Sequence, residues 1–154
     1  MFKQSFFLIC ILGTFVSLAA EVELDIHVKN LSSGTEAEKI AACDIIGREK
    51  KEKKYISEIQ DLLKRTSSPR VAVACANSLG YIQEKNSIAS LKSKIMSESN
   101  SDVVYVCLLS ILNISIKNGY DSDARYAVQY SDIHHRQDEF VADLIDRIKK
   151  KFKE

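Results

Sequence analysis

The sequence is poor in residues that interrupt helices. Its 154 residues include one proline, five glycines and no tryptophan. This scarcity excludes a collagen-like chain and argues against an all-β fold, which needs many turn residues. Hydrophobic residues make up 45% of the chain and charged residues 28%. This balance is typical of a folded, largely helical protein, and the length favours a single domain.

An excess of charge of either sign is also missing. The chain has 22 Lys+Arg against 21 Asp+Glu, for a formal net charge of +1. Two local basic clusters lie at residues 48–54 and 147–153, and Glu49 and Glu52 dilute the first of them. Both are interpreted as solvated surface. We therefore expect a protein partner of unknown identity and no nucleic acid, with a membrane surface as the less favoured partner.

Sequence motifs of common enzymes and cofactor sites are absent too. The chain has no glycine-rich phosphate loop, no nucleophile elbow and no pair of catalytic carboxylates with a recognised spacing. The adjacent His134 and His135 would point about 100° apart on a helix, which does not suit a shared metal ion. We therefore predict a protein that is not an enzyme, with no cofactor, no metal site and no catalytic residues.

The N-terminal residues resemble an export signal. Lys3 precedes an apolar run that continues to Ala20, and Ser17 and Ala19 are small residues at its end. These parts are typical of a secretory signal peptide, so we predict one at residues 1–19, with cleavage after Ala19 or Ala20. The mature chain would be periplasmic or otherwise extracytoplasmic and soluble. It would carry 21 basic and 21 acidic side chains.

A repeat with a period of 33 residues organises the rest of the chain. Four segments align at this offset, the last more weakly: 40–47, 73–80, 106–113 and 139–146. The next-to-last residue of each copy is bulky and apolar: Ile46, Leu79, Leu112 and Ile145. A second amphipathic segment follows the first three copies, most clearly the first: Ile56, Ile59, Leu62 and Leu63. The repeated unit is therefore predicted to be a helix, a turn and a second helix.

Helix-capping residues agree with this division. Thr35 and Glu38 form a capping box, Ser68 precedes a proline suited to the first helical position, and Asp121 can cap a helix after Asn118-Gly119. The pattern predicts seven helices, near residues 36–48, 53–65, 69–82, 87–97, 102–117, 122–130 and 137–152.

The second copy carries a resemblance to a known family. Residues 68–82, Ser-Pro-Arg-Val-Ala-Val-Ala-Cys-Ala-Asn-Ser-Leu-Gly-Tyr-Ile, with Ser-Ile-Ala-Ser-Leu at 87–91, resemble the HEAT-like (PBS-lyase-type) helical repeat. The likeness extends over residues 36–131, although the third copy has Asn113 where glycine is usual. It implies an all-α fold over 35–154, a short α-solenoid of about three and a half helical hairpins. It also implies a binding scaffold.

The resemblance further implies that the second helices line a concave, partner-binding side. A projection of these helices at about 100° per residue places seven side chains opposite the apolar stripes. The candidate partner-binding residues are Asp61, Arg65, Ser93, Ser97, Arg125, Tyr126 and Gln129. Tyr126 is the preferred anchor, because aromatic residues dominate interface hot spots. The predicted function is a non-catalytic protein-binding scaffold or adaptor.

Two other functions stay open. In the first, an envelope-associated structural protein is held by an uncleaved N-terminal segment or by the basic tail. The run from Phe6 to Ala20, at 15 residues, is short for a membrane-spanning helix of about 20. The apolar segment Val103–Ile116 is better explained as a buried central helix than as a membrane hairpin. In the second, the protein is thiol-active through its cysteines.

Cys43, Cys75 and Cys107 recur at intervals of 32 residues. Neighbouring helix axes lie about 8 to 10 Å apart, whereas a disulfide wants Cα atoms within roughly 7 Å. We therefore expect buried packing residues rather than a disulfide or a metal site.

The segment before the first repeat alternates apolar and polar residues. Val22, Leu24, Ile26 and Val28 would share one face of a strand. A strand, a frayed lead-in and a segment that joins a partner's sheet all remain open. The expectation for residues 20–34 is an extended, poorly ordered N-terminal arm.

Overall fold

The computed structural model describes residues 24–153, and every element of regular structure in that range is helical. Helix α1 is described over residues 24–33. The other helices are α2 Glu36–Asp44, α3 Ile56–Arg65, α4 Pro69–Ile82, α5 Ser87–Ser97, α6 Ser101–Asn118, α7 Ser122–His134 and α8 Glu139–Phe152. A π-helical turn, Ile45–Glu49, extends α2, and a 3₁₀ turn, Lys53–Tyr55, leads into α3. The predicted all-α class is confirmed for these residues, whereas the predicted signal peptide and its cleavage site lie outside them.

The helices pack in two layers. In the first layer α2, α4, α6 and α8 are successive neighbours, and in the second layer α3, α5 and α7 are. The layers meet where α3 packs against α4, α5 against α6, and α7 against α8. Within each layer, successive helices therefore come from successive 33-residue units, and the apolar core fills the space between the layers.

Helix α6 lies at the centre of this arrangement. It packs against α4, α5, α7 and α8, and 44% of its residues are buried. Within residues 24–153 it is the one helix long and apolar enough to cross a membrane by length and composition. In this fold most of its apolar side chains pack in the core, whereas Ile116 near its end is exposed.

The helix starts follow the capping residues. The Thr35 hydroxyl accepts from the Glu38 backbone N–H, and the Thr35 backbone N–H donates to the Glu38 carboxylate at 2.7 Å, so the capping box is confirmed. Ser68 caps α4 ahead of Pro69, and Asp121 caps α7, accepting from the Ala124 N–H at 3.0 Å. These local hydrogen bonds explain why the predicted starts of α2, α4 and α7 agree with the structure.

Two glycines allow first-layer helices to approach closely. A Cβ added at Gly47 would lie 2.5 Å from the Cα of Ser78 on α4, so the backbones are nearly in contact there. A Cβ added at Gly80 on α4 would lie 3.0 Å from the Cα of Ser110 on α6. Because real Cβ atoms do not tolerate the shorter distance, the α2–α4 contact requires glycine at position 47.

The expectation of an extended arm is wrong for residues 24–33, which are helical. Leu24 and Leu31 are buried in the core and Val28 packs against it, a stripe at positions i, i+4 and i+7 of a helix. Ile26, which a strand would place beside Leu24 and Val28, points to solvent. Arg65 ties this helix to α3, since its guanidinium donates to the Leu31 carbonyl at 3.0 Å. The described residues thus contain eight helices rather than seven.

An ion-pair network joins α7 to α8. The Lys149 ammonium lies 2.6 Å from the Asp132 carboxylate, and Arg136 bridges Asp132 to Asp146. The hydrogen bond from Lys149, aided by Arg136, holds the pKa of Asp132 below its usual value. Because the folded pKa is the lower one, this carboxylate stabilises the fold above the unfolded pKa of about 3.9, and the contribution is lost as pH falls through the folded pKa.

We therefore expect Asp132→Asn to lower the free energy of unfolding by about 1 kcal/mol at pH 7 and by much less near pH 3. Urea unfolding of wild type and variant at both pH values measures the difference. Asp143→Asn is the matched control, since Asp143 pairs with Arg147 on one exposed helix face and should change little. An equal loss at both pH values would show that the charge of Asp132 is not the cause.

Candidate functional site

A groove of about 360 Å³ lies between α3 and α5, on the second layer. Its lining residues are Gln60, Asp61, Lys64, Ala89, Ser90, Ser93, Lys94 and Ser97. The α5 side is formed mainly by alanine and serine, so a partner's backbone can approach it closely. The α3 side is charged. The groove is therefore a shallow polar channel bordered by two helices from successive repeats.

The charges at this groove are of two kinds. The Lys94 ammonium is nearly buried and committed to the fold, because it pairs with Glu98 at 3.1 Å and donates to the Thr66 carbonyl. Asp61 and Lys64 are exposed, and neither belongs to an ion pair within residues 24–153. The two side chains available for recognition thus have opposite signs and lie one helical turn apart.

Three of the seven predicted site residues meet at this groove: Asp61, Ser93 and Ser97. The Ser97 hydroxyl donates back to carbonyls of its own helix, so its oxygen stays free to accept from a ligand. Arg65 does not reach the groove. It lies with Asp61 at a smaller cavity of about 140 Å³ between α1 and α3, and its guanidinium is bound to Leu31. Asp61 therefore stands between the two cavities.

The predicted residues on α7 lie apart from the groove. Tyr126 is 47% exposed, its ring stacks on Tyr130, and the Lys92 ammonium of α5 lies 5.6 Å from its centroid. Arg125 lies over the ring of Tyr120, at 5.3 Å, and Gln129 is exposed without lining a described cavity. Because Lys92 pairs with Asp123 at 2.7 Å and also lies against the ring, Tyr126 is a half-exposed aromatic surface with contacts on two sides.

The sequence prediction missed five lining residues of the groove: Gln60, Lys64, Ala89, Ser90 and Lys94. A signal for some of them was present, since Ala89, Ser93 and Ser97 follow at i, i+4 and i+8 and form a stripe of small residues along α5. Lys94 gives no such signal, because its burial depends on contact with Glu98 and the end of α3.

A second groove, of about 570 Å³, lies on the first layer across α2, α4 and α6. It is more apolar, although Asp44, Arg70 and Asp102 are among its lining residues. Its lining residues are Ile40, Asp44, Pro69, Arg70, Val73, Ala74, Asn77, Asp102, Tyr105 and Val106. The sequence analysis predicted no site on α2, α4 or α6, the first helices of the repeats.

The cysteines are buried as predicted, but two of them are closer than expected. Cys43, Cys75 and Cys107 are free thiols with no exposed surface. Sγ of Cys43 and Sγ of Cys75 lie 2.8 Å apart, so the expectation that helix spacing keeps these sulfurs separate is wrong. Among the described residues, no group of three or more His, Cys, Asp and Glu side chains is placed to hold a metal ion.

The grooves, the Tyr126 ring and the sulfur contact are thus the features from which a function can be argued. No family model matches the chain, and comparisons with curated proteins and with solved structures find no match.

Proposed function

We propose that this protein is a non-catalytic, protein-binding scaffold of HEAT-like (PBS-lyase-type) repeats, exported to the periplasm or another extracytoplasmic space. In this proposal the two helical layers form a short α-solenoid, and the partner docks on the second layer. The observation that carries the proposal is the α3–α5 groove, where Asp61, Ser93 and Ser97, selected from the repeat alone, line one cavity.

The chemistry of the groove suits a polar segment of a protein partner. Its small residues admit a backbone at close range, and the hydroxyls of Ser90 and Ser93 can both donate and accept hydrogen bonds. The exposed Asp61 and Lys64 favour a partner with the complementary pair of charges, which sets register more than affinity. Most of the affinity is then expected from an aromatic anchor on α7, the next helix of the second layer.

Tyr126 is that anchor in the proposal. Its ring is supported from below by Lys92 and from the side by Tyr130, whose hydroxyl donates to the Met96 carbonyl at 3.3 Å. A side chain held in this way loses little conformational entropy on binding, which favours its use as a hot spot.

The double variant Asp61→Lys with Tyr126→Ala is expected to lower partner capture at least about tenfold, because it reverses the charge at the groove and removes the anchor. The measurement is crosslinked affinity capture of the tagged protein from its own envelope extract, with the partner quantified against the bait. Circular dichroism should match wild type, and the melting temperature should fall by no more than about 5 °C, since Asp61 is exposed and Tyr126 is only half covered.

The matched control makes the same chemical changes on α8, where Asp143 and Phe140 are exposed. Asp143→Lys with Phe140→Ala should leave capture unchanged. Equal capture by wild type and the double variant at Asp61 and Tyr126 would contradict binding through the second layer. Loss of capture in the α8 control alone would move the interface to the C-terminal end.

The alternative proposal, an envelope-associated structural protein, is favoured by the exposed lysines at the end of α8. Lys150, Lys151 and Lys153 are exposed, whereas Lys149 is occupied by Asp132. Anionic lipid headgroups would attract such a cationic end. Fractionation before the capture step separates the two proposals, because a scaffold leaves with the soluble extract and a held protein stays with the membranes.

A further inference from the structure

A contact between two buried sulfur atoms joins the first two helices of the first layer. Sγ of Cys43 on α2 and Sγ of Cys75 on α4 lie 2.8 Å apart, and neither residue is exposed. Packed side-chain atoms count as touching at about 4 Å, whereas the bond of a disulfide measures about 2.05 Å. The sulfurs therefore lie much closer to bonding distance than ordinary packing requires.

The surfaces of the two helices account for this proximity. Gly47 follows Cys43 by one helical turn, and Ser78 follows Cys75 by three residues, so the glycine contact and the sulfur contact share one helix–helix interface. Because glycine and serine let the backbones approach, the cysteine side chains meet end to end. In the next interface the glycine contact joins Gly80 to Ser110, and no hydrogen bond joins the Cys107 sulfur to another sulfur within residues 24–153.

We propose that Cys43 and Cys75 form a disulfide bond that links α2 to α4 when the chain folds in an oxidising compartment, and that Cys107 remains a thiol. The oxidant is a disulfide, carried by a thiol–disulfide oxidoreductase or by glutathione. One cysteine thiolate attacks the oxidant, forms a mixed disulfide and releases one oxidant sulfur. The second thiolate attacks the mixed disulfide, forms the Cys43–Cys75 bond and releases the other oxidant sulfur.

The exchange transfers two electrons and two protons from the two cysteines to the oxidant. The oxidant disulfide is thereby reduced to two thiols. Since Cys43 and Cys75 have no exposed surface in the fold, the exchange takes place before these side chains are buried. In the folded, reduced chain the hydrogen bond with Cys43 and burial raise the pKa of Cys75, so the attacking thiolate is scarce and oxidation after folding is slow.

Once the chain has folded, Cys107 cannot attack the Cys43–Cys75 bond, because its thiol is buried as well. Burial raises the pKa of its thiol to about 12. At pH 7 its thiolate fraction is then on the order of one in 10⁵, and only the thiolate attacks a disulfide. Cys107 therefore does not reshuffle the bond once the chain has folded.

Trypsin separates Cys43, Cys75 and Cys107 from one another and from Cys10, so the pairing can be read directly. Cys43 lies in residues 40–48, Cys75 in 71–85 and Cys107 in 95–117. The reduced, unfolded chain is refolded in a glutathione redox buffer, labelled with N-ethylmaleimide in denaturant, and digested without reduction. We expect peptides 40–48 and 71–85 joined, two hydrogens lighter than their sum, with 95–117 labelled. Refolding in a defined buffer tests the bond independently of both export and partner binding.

Variants and stability give a second readout. Cys107→Ala should keep the link between 40–48 and 71–85, whereas Cys43→Ala should leave Cys75 labelled. The bond would close a loop across a sequence separation of 32 residues, which stabilises the fold by restricting the unfolded chain. Dithiothreitol should therefore lower the melting temperature of wild type and of Cys107→Ala by about 10 °C. It should leave the melting temperature of Cys43→Ala unchanged. Labelling of all three wild-type cysteines without reduction, or a bond that includes Cys107, would overturn the proposal.

Discussion

Replacement of Gly47 by alanine is expected to destabilise the fold by about 3 kcal/mol or more, although alanine is the better helix former by about 1 kcal/mol. The added Cβ would lie 2.5 Å from the Ser78 Cα and closer still to the Ser78 hydroxyl. Since the obstacle is backbone rather than a flexible side chain, α2 and α4 would have to separate. Urea unfolding followed by circular dichroism measures the loss.

Equivalent positions of the repeat supply the controls for this prediction. A Cβ at Gly80 would lie 2.9 Å from the Ser110 Cβ and 3.0 Å from its Cα, so Gly80→Ala should cost less than Gly47→Ala. Asn113 occupies the same position in the third copy and already carries a Cβ, so Asn113→Ala should stay within about 1 kcal/mol of wild type. A neutral or stabilising Gly47→Ala, as helix propensity alone predicts, would disprove the close approach.

Replacement of Leu31 by alanine is expected to lower the free energy of unfolding by about 3 kcal/mol, because Leu31 is only 1% exposed and packs in the core. The melting temperature should fall by roughly 10 °C, as expected for a domain of this size. The effect arises from α1, a segment whose alternating pattern also suits an extended arm.

Ile26 on the same helix is the matched control. It is 55% exposed, so Ile26→Ala should change the stability by less than about 0.5 kcal/mol. Similar small effects at Leu31 and Ile26 would indicate that residues 24–33 do not pack as a helix. Similar large effects would indicate that both residues are buried, which would contradict both the observed helix and a solvated arm.

The α1 segment shows why a local pattern can be ambiguous. Leu24, Ile26 and Val28 alternate as in a strand, but Leu24, Val28 and Leu31 also follow a helical stripe. A window that ends at Lys29 includes only the first pattern. The burial of Leu31 against the core, together with the hydrogen bond from Arg65, decides in favour of the helix.

The candidate site was predictable only in part. A projection at about 100° per residue selects the face that a helix turns away from its apolar stripe, which was enough to bring Asp61, Ser93 and Ser97 to one groove. It does not say which neighbouring element a side chain meets. Arg65 is bound to α1 and Arg125 lies over Tyr120, so these two cations do not line the groove.

The sulfur contact shows the limit of average geometry. The expected axis separation of about 8 to 10 Å is a mean over many side-chain combinations. At the α2–α4 interface Gly47 lies against Ser78, so the backbones come closer and the thiols of Cys43 and Cys75 meet.

The sequence by itself determined the all-α class, the 33-residue register and most helix boundaries, including the capped starts of α2, α4 and α7. These features depend on local hydrogen bonds and on the spacing of residues along the chain, so they can be predicted from a single sequence. The tertiary structure alone decided that residues 24–33 are helical, which residues line the α3–α5 groove, and that the sulfurs of Cys43 and Cys75 are in contact. Each of these depends on how closely two distant segments pack, which is set by side-chain sizes on both partners at once.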